Sequence, residues 1–392
     1  MIFSGVEGKE VGARRGAPYR HGAAGFVETS SAKVILVTDQ HPLSGVGVYT
    51  TRLYELMRAA FPEIELRNLH YFRFPETPPH QAVPGQAYAR SRFGAVRARG
   101  HNERAFARQL DGSKALVHLC GASYDLAVRI DRPLATVHDF GLRTWRAFLS
   151  SRPELVLVEG YSVVDWLRTP RFLKRCRQIV SVSEYTRSRL RAWTGLDSVA
   201  IPHWMDQQRF RPRPSVESRA LLDLPVDRRI VLCVGSGAAY KNHALLRRVA
   251  AALPPEYLLL KVGFPLAGSP AQVRNEGVVS PDLYAFYFDA ADAYLHLSFR
   301  EGFGIPLLEA LASGTPVVAL ANPPAPEVLG EAAQWLPSGA GAHDVLDALR
   351  TVVEAPERAA QLRAVGQARL PAFDPARIRA RYTDLYLNAL RA

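Results

Sequence analysis

Several features that define common protein classes are scarce in this chain of 392 residues. Its three cysteines, Cys120, Cys176 and Cys233, are far apart and form no CxxC pair. An odd number of isolated cysteines argues against a disulfide framework or a zinc site and is typical of a reducing cytosol. No apolar run approaches the length of a membrane span, and residues 1–30 lack the apolar core of a signal peptide. We therefore expect a cytoplasmic protein.

The glycine-rich segments lack the complete fingerprints of two common nucleotide sites. In residues 235–242, GSGAAYKN, Tyr240 stands where a Walker A motif has its second glycine, and Asn242 replaces the required Ser or Thr. As dinucleotide fingerprints, this segment and residues 45–50, GVGVYT, both lack the third glycine. A P-loop and NAD-dependent redox chemistry are therefore disfavoured.

Signals for metal and nucleic acid are missing as well. The chain has no Asp-x-Asp cluster that would hold a divalent ion. It also has no zinc-finger spacing and no RNP-type aromatic motif, so we expect no nucleic-acid partner.

The formal net charge of +12 is concentrated in the first half of the chain. Residues 1–203 contain 29 basic and 18 acidic residues, a charge of +11, whereas residues 204–392 contain 20 and 19, a charge of +1. Such an imbalance favours an anionic partner, such as a membrane surface, a phosphorylated lipid or nucleic acid. An arginine-rich composition with a solvated surface accounts for the same numbers, so charge alone does not identify the partner.

Short apolar strands alternate with polar turns and amphipathic helices in both halves of the chain. This pattern predicts an α/β protein with two Rossmann-like, doubly wound domains, whose parallel sheets face a central cleft. We predict a disordered tail, an N-terminal domain, a C-terminal domain and a final helix that crosses back to the N-terminal domain. The corresponding ranges are 1–32, 33–203, 204–374 and 375–392.

The most informative segment is SFREGFGIPLLEALASGTPVV, residues 298–318. Its pattern predicts the end of a strand, a glycine turn and a helix. Gly302 and Gly304 permit a tight turn and a close approach of ligand to the main chain. Pro306 suits the first helical position, and Gly314 ends the helix. The free N–H groups and the dipole at such a helix start favour an anion.

Two glutamates flank this turn, and a lysine lies in the same predicted domain. We place Glu309 in the first helical turn, where it would repel phosphate but could accept hydrogen bonds from both ribose hydroxyls. Glu301, at the strand end, could do the same for a second polyol. Lys241 has a compact charge that suits a diphosphate. The three residues predict a site for a nucleoside diphosphate carrying a sugar. Dipole stabilisation by Glu309 and a solvated Lys241 are the alternatives.

Residues 301–318 resemble the donor-site signature of the retaining glycosyltransferases of family 4, which have the two-domain GT-B fold. The resemblance extends from about residue 33 to the end of the chain. The supporting segments are 43–56, 136–139, 180–190, 234–242 and 325–333.

The resemblance implies a role for each matching residue. Glu309 would bind the ribose and Lys241 the diphosphate, while Glu301 would contact the donor sugar and His138 would reach it from the opposite domain. The catalytic residues would be Glu301, His138 and Lys241, although His138 could instead be an ordinary strand-end histidine. The implied donor-binding residues are Gly45, Gly47, Ser236, Lys241, Glu301, Gly302, Phe303, Gly304, Ile305, Pro306, Leu307, Leu308 and Glu309. Gly45 and Gly47 would let the first loop close on the sugar and phosphate.

The implied activity is the transfer of a sugar from a UDP- or GDP-sugar to an acceptor hydroxyl with retained anomeric configuration. No metal or other cofactor is expected. A lipid-linked or anionic acceptor would bring the protein to the inner face of the membrane. The alternatives are a nucleotide-sugar epimerase of the same architecture, and a non-catalytic protein that binds nucleotide-sugars or nucleic acid.

The sequence departs from the family pattern at three places. Ser236 stands where the family usually has arginine, and Tyr240 where it has glutamate. The phosphate site would therefore have one cation fewer. His203 and Trp204 replace an Asn-Gly pair in the predicted hinge, residues 201–214.

Overall fold

The computed structural model describes residues 32–38, 40, 44–68, 107–108, 110, 115–121, 129–139, 169–268 and 270–391. Apart from Ala32, the predicted tail lies outside the described residues. In the described part of the chain, no helix is both long and apolar enough to cross a bilayer.

The first half of the chain forms a parallel sheet of six strands in the order β2-β1-β3-β4-β5-β6. Helices cover both faces, because successive strand residues point to opposite sides. Val34 and Leu36 pack with helix α1, whereas Ile35 and Val37 lie in a second core that includes Leu190 of helix α2. The elements are β1 (Val34–Thr38), α1 (Gly45–Met57), β2 (Glu65–Asn68), β3 (Leu116–Leu119), β4 (Leu134–Val137), β5 (Gln178–Ser181), α2 (Glu184–Thr194) and β6 (Val199–Ala200).

The second half forms another parallel six-stranded sheet, in the order β12-β11-β10-β7-β8-β9. Its two faces also carry separate cores. The elements are α3 (Ser215–Leu221), β7 (Arg229–Gly235), α4 (His243–Ala252), β8 (Tyr257–Gly263), β9 (Val273–Gly277), α5 (Pro281–Ala290), β10 (Ala293–His296), α6 (Ile305–Ser313), β11 (Val317–Leu320), α7 (Ala325–Leu329), β12 (Ala333–Leu336), α8 (Ala342–Val353) and α9 (Pro356–Arg369).

The predicted fold class is confirmed: the chain has two Rossmann-like domains, each built on a parallel sheet with helices on both faces. In the second sheet the strand order reverses between β7 and β10, which are neighbours although 57 residues separate them. Loops that follow two such strands diverge to opposite faces and leave a crevice at their carboxyl ends. This is where a ligand site is expected in such a sheet.

The final helix, α10 (Pro375–Arg391), packs on the first sheet next to α1. The Tyr382 hydroxyl lies 2.6 Å from that of Tyr49, and the Tyr386 hydroxyl lies 2.8 Å from Nδ1 of His118. Both tyrosines of α10 are fully buried, so these hydrogen bonds satisfy polar groups that have no access to water. The helix thereby joins the core of the first domain.

The start of α1 differs from the sequence expectation. Gly45 and Gly47 lie in the first helical turn and not in a loop, because Ser44 caps the helix. Its Oγ accepts a hydrogen bond from the Gly47 N–H at 3.1 Å, and this strong N-cap outweighs the low helix propensity of glycine.

Helix α6 also begins slightly earlier than expected. Gly304 is its N-cap with φ of 90°, so Ile305 is the first helical residue and Pro306 the second. Glu309 therefore lies in the second turn, and the expectation of a first-turn acid was wrong. Glu309 is thus one residue further from the helix start than expected and lies beyond the first turn, which reduces repulsion of an anion bound there.

Candidate functional site

The candidate site lies at the carboxyl ends of β7 and β10, on either side of the point where the strand order reverses. Residues 236–242, which follow β7, include Lys241 at the end of a short 3₁₀ turn. Residues 297–304 follow β10 and lead into α6. The Phe299 N–H donates to the Tyr240 carbonyl at 2.8 Å, so the two loops are held side by side.

Glu309 is a buried carboxylate, 2% exposed, with donors on both of its oxygens. Its Oε1 lies 3.2 Å from Nη2 of Arg52, which belongs to α1 of the first domain. Its Oε2 accepts a hydrogen bond of 2.8 Å from the Tyr284 hydroxyl. A buried charge is tolerated only when it is paired and hydrogen-bonded, and these two contacts meet that requirement.

Lys241 and Glu301 form a second ion pair. Nζ of Lys241 lies 2.5 Å from Oε1 of Glu301, and the Ser298 hydroxyl donates to the same oxygen at 2.8 Å. Burial acts to lower the pKa of Lys241, but the adjacent carboxylate prevails and the pKa is raised. The structure thus brings together the predicted phosphate ligand and the predicted sugar ligand.

Gly302 forms a tight contact with the first domain. A Cβ atom at this position would lie 1.6 Å from the carbonyl oxygen of His138, so no other residue fits while the domains touch here. The Gly302 carbonyl accepts hydrogen bonds from the hydroxyls of Ser183, at 2.7 Å, and Thr186, at 3.0 Å. The turn that was predicted to contact a sugar is therefore a domain contact in this structure.

His138 lies opposite this turn as a neutral imidazole. Its Nε2 lies 3.0 Å from the Cys120 carbonyl, which can only accept, so Nε2 carries the proton and Nδ1 is the acceptor nitrogen. Burial lowers the pKa of His138 to about 4. The ring contacts Tyr49 and His203, with centroid distances of 4.5 Å and 5.8 Å.

The start of α6 offers fewer main-chain donors than a standard N-terminus. Pro306 has no N–H, and the Leu307 N–H already bonds to the Gly304 carbonyl at 2.9 Å. The Leu307 and Leu308 side chains are fully buried in the core and are therefore not accessible to a ligand. Ile305 is partly exposed.

Two other predicted donor-binding residues lie at the edges of the site. Phe303 is buried against the rings of His203 and Phe373, at centroid distances of 4.9 Å and 5.9 Å. Ser236 is exposed at the start of the loop after β7, and its carbonyl is bonded by the His243 ring.

The structure adds residues that sequence reasoning did not identify. Arg52 and Tyr284 bond to Glu309 from distant parts of the chain, and no local pattern indicated either contact. Ser298 is the first residue of the segment 298–318, but no role was predicted for it. Lys261 was visible as a lysine interrupting the apolar strand YLLLKVG. It is 1% exposed, and its Nζ donates to the carbonyls of Gly235, at 3.0 Å, and Val262, at 2.8 Å.

Residues 216–369 match the family model described as glycosyl transferases group 1. A curated relative, D-inositol 3-phosphate glycosyltransferase of Mycobacterium bovis, is 33% identical over 141 residues, and the same figures hold for that of Mycobacterium tuberculosis. The match covers 30% of this chain and only 28% of the relative's length. The family match and the site geometry thus lie in the same domain.

Solved structures extend the likeness to both domains. Sucrose-phosphate synthase from Thermosynechococcus elongatus superimposes with a TM-score of 0.71 at 21% identity, covering 92% of this chain and 99% of that one. HepE from Anabaena, solved with UDP and glucose, superimposes with a TM-score of 0.67 at 16% identity. The superposition covers 91% of this chain and 100% of HepE. The chain has the GT-B fold. WaaG, a glycosyltransferase involved in lipopolysaccharide biosynthesis, also matches, with a TM-score of 0.67 at 13% identity. This match covers 90% of this chain and 99% of WaaG.

Several buried histidines should make the protein acid-sensitive. Burial lowers the pKa of His118 to about 3 and those of His138 and His296 to about 4. In the unfolded chain histidines take up protons near pH 6.5. Between pH 6.5 and about 4 the unfolded state therefore binds more protons, and the free energy of unfolding falls as the pH falls.

We predict that His296→Leu weakens this dependence. Between pH 7 and pH 5.5 the variant should lose about 1 kcal/mol less unfolding free energy than the wild type, the contribution of one histidine. Urea unfolding at the two pH values measures the difference. His343→Gln is the control, because the His343 side chain is 87% exposed. An unchanged pH dependence in His296→Leu would show that His296 is not a source of the acid sensitivity.

Proposed function

We propose that the protein is a retaining glycosyltransferase similar to those of family 4. It transfers a hexosyl group from a nucleoside-diphosphate sugar to an acceptor hydroxyl, without a metal ion. The observation that carries the proposal is the pairing of Lys241 with Glu301 at the carboxyl ends of β7 and β10, with the buried carboxylate of Glu309 in the helix that follows. They lie in the domain that matches glycosyl transferases group 1.

The placement of these groups suits a sugar nucleotide in one orientation. Glu309 accepts from the ribose hydroxyls, and Lys241 binds the diphosphate at the next loop. Glu301 and His138 then contact the sugar beyond the phosphates. Because His138 is neutral and Nδ1 is its acceptor, it receives a hydrogen bond from a sugar hydroxyl without adding a positive charge where the oxocarbenium ion develops.

In the proposed mechanism the difficult step is departure of the nucleoside diphosphate. The bond between the anomeric carbon and the phosphate oxygen breaks, and negative charge develops on that oxygen. The Lys241 ammonium and the main-chain N–H groups near Gly304 stabilise this charge. The departing oxygen takes the proton of the acceptor hydroxyl, which attacks from the same face and so retains the anomeric configuration.

The direct test is a panel of UDP- and GDP-sugars with candidate acceptors, followed by mass spectrometry of the products. We expect a glycosylated acceptor and a free nucleoside diphosphate that forms only when acceptor is present, with full activity after chelation of divalent ions. Conversion of the donor to an isomer without acceptor would instead indicate an epimerase, and binding without turnover a non-catalytic protein. Dependence on added magnesium or manganese would contradict the metal-free mechanism.

Lys241→Met should lower turnover on the order of 100-fold, because a positive charge facing the leaving group is lost. Arg350→Met is the control, since Arg350 is an exposed cation near the end of α8 with no role in the proposed site. The measurement is initial rate at saturating donor, with thermal melting to establish that both variants are folded. An unchanged rate in Lys241→Met would remove this lysine from the mechanism.

Glu309→Gln should weaken donor binding by about 2 kcal/mol, because the amide offers only one acceptor oxygen to the ribose diol. Calorimetric titration with the preferred nucleoside diphosphate and its 2′-deoxy form separates this role from a general disturbance. The wild type should discriminate against the deoxy form, whereas the variant should bind the two forms almost equally. Equal discrimination by both proteins would place the ribose elsewhere.

We propose further that the acceptor is anionic or lipid-linked and that the protein works in the cytoplasm at the membrane surface. The first half of the chain carries the formal charge of +11. Several of its basic side chains are exposed in the described part of the domain. They include Arg58, Arg108, Arg129, Arg132, Arg171, Lys174, Arg175, Arg189 and Arg191.

Binding to anionic vesicles should be reversible and salt-sensitive. Each basic residue near such a surface contributes about 1 kcal/mol, screened over a Debye length of about 8 Å at physiological salt. The measurement is co-sedimentation with neutral and acidic liposomes, and a variant lacking residues 1–32 controls for the arginines of that segment. Equal, weak binding to both liposome types at low salt would leave the charge without a membrane role.

A further inference from the structure

In this structure the carboxylates proposed to bind the donor form ion pairs with side chains of the protein. The Glu309 side chain is 3% exposed and the Glu301 side chain 11%, and each is paired with a cation. The cavity beside the loop after β7, lined by Gly235, Lys241, Ser298 and neighbouring residues, has a volume of about 10 Å³. That is about the space of one water molecule, so the residues at the ends of β7 and β10 are closely packed against one another.

The two ion pairs differ in what donor binding requires of them. Lys241 and Glu301 both belong to the second domain, and a diphosphate can draw the lysine away while the sugar takes the glutamate. Arg52 belongs to the first domain, and its guanidinium rests on the oxygen of Glu309 that faces the cleft between the domains. A ribose hydroxyl is a neutral donor and would need the same Glu309 oxygen that Arg52 holds, so the ion pair competes with ribose binding.

We propose that Arg52 seals the donor site by holding Glu309 across the domain cleft, and that nucleotide binding must displace it. This inference rests on the proposed function, because it takes Glu309 to be the ribose ligand. The apparent affinity for the nucleotide is then reduced by the fraction of molecules in which the seal is closed. Arg52 therefore lowers donor affinity, although its positive charge would be expected to raise it.

Other contacts across the cleft do not have this effect. The Glu327 carboxylate accepts from the N–H groups of Glu184 and Tyr185, at 2.7 Å and 3.0 Å, at the start of α2. It holds the domains together but uses no group assigned to the donor. Glu327→Gln therefore serves as a matched control, since it weakens domain contact and leaves the Arg52–Glu309 pair intact.

The experiment is calorimetric titration of the full chain with UDP and with GDP. Arg52→Met keeps the aliphatic stem near Phe210, whose ring centroid lies 6.0 Å from Cζ of Arg52, but removes all donors. We expect it to bind the preferred nucleotide about tenfold more tightly than the wild type, the fold-change of one hydrogen bond to a charged group. Arg52→Lys keeps the positive charge on a shorter side chain, so its nucleotide affinity should lie between those of the wild type and Arg52→Met. Thermal melting shows whether each variant is folded.

The outcomes separate this inference from the proposed function. Weaker binding by Arg52→Met would make Arg52 a ligand of the donor, and an unchanged affinity would show that the pair carries no energetic weight; either result overturns the seal. An equal gain in Glu327→Gln would assign the effect to domain opening in general and would also overturn it. If neither the wild type nor Arg52→Met binds UDP or GDP, the proposed function fails, and the seal with it.

Discussion

The arrangement of the site depends on one requirement: the carboxylate of Glu309, which is 2% exposed, must have hydrogen-bond donors at all times. An ionised carboxylate without partners in such a place costs several kcal/mol. In this structure the donors come from Tyr284 in the same domain and from Arg52 in the other. In the proposed function the hydroxyls of a ribose donate to this carboxylate as well. Under that proposal a domain contact and a substrate compete for one anion, and domain position is coupled to donor binding.

The glycine turn before α6 also connects the site to the first domain. Gly302 lies against the His138 carbonyl, and its own carbonyl accepts from Ser183 and Thr186, so the turn is held by the first domain whenever the domains meet. A side chain at position 302 would keep the domains apart. The contact with the opposite domain needs a residue without a side chain at position 302, and the proposed approach of phosphate to the main chain would need the same, so glycine meets both demands.

The sequence predicted those parts of the protein that depend on short-range patterns. The two Rossmann-like domains followed from alternating strands and helices, and the strand, turn and helix around Gly302 and Gly304 followed from residue types a few positions apart. What could not be predicted depends on contacts between distant residues. Arg52 and Glu309 are 257 positions apart, and no local pattern connects them. The start of α1 was missed for another reason, because the capping hydroxyl of Ser44 outweighed the two glycines that indicated a loop.

The departures from the family pattern become intelligible once the neighbouring groups are known. With Ser236 in place of arginine, the loop after β7 has one cation fewer, and the buried Lys261 holds the Gly235 carbonyl at the start of that loop. Burial lowers the pKa of Lys261, and the positive charge of Lys241 lowers it further, because the two ammonium groups repel each other. In the proposed function a diphosphate bound at this loop would relieve that repulsion, because its negative charge attracts both lysines. Lys261 would then be a second cation for the phosphate, held in a buried position.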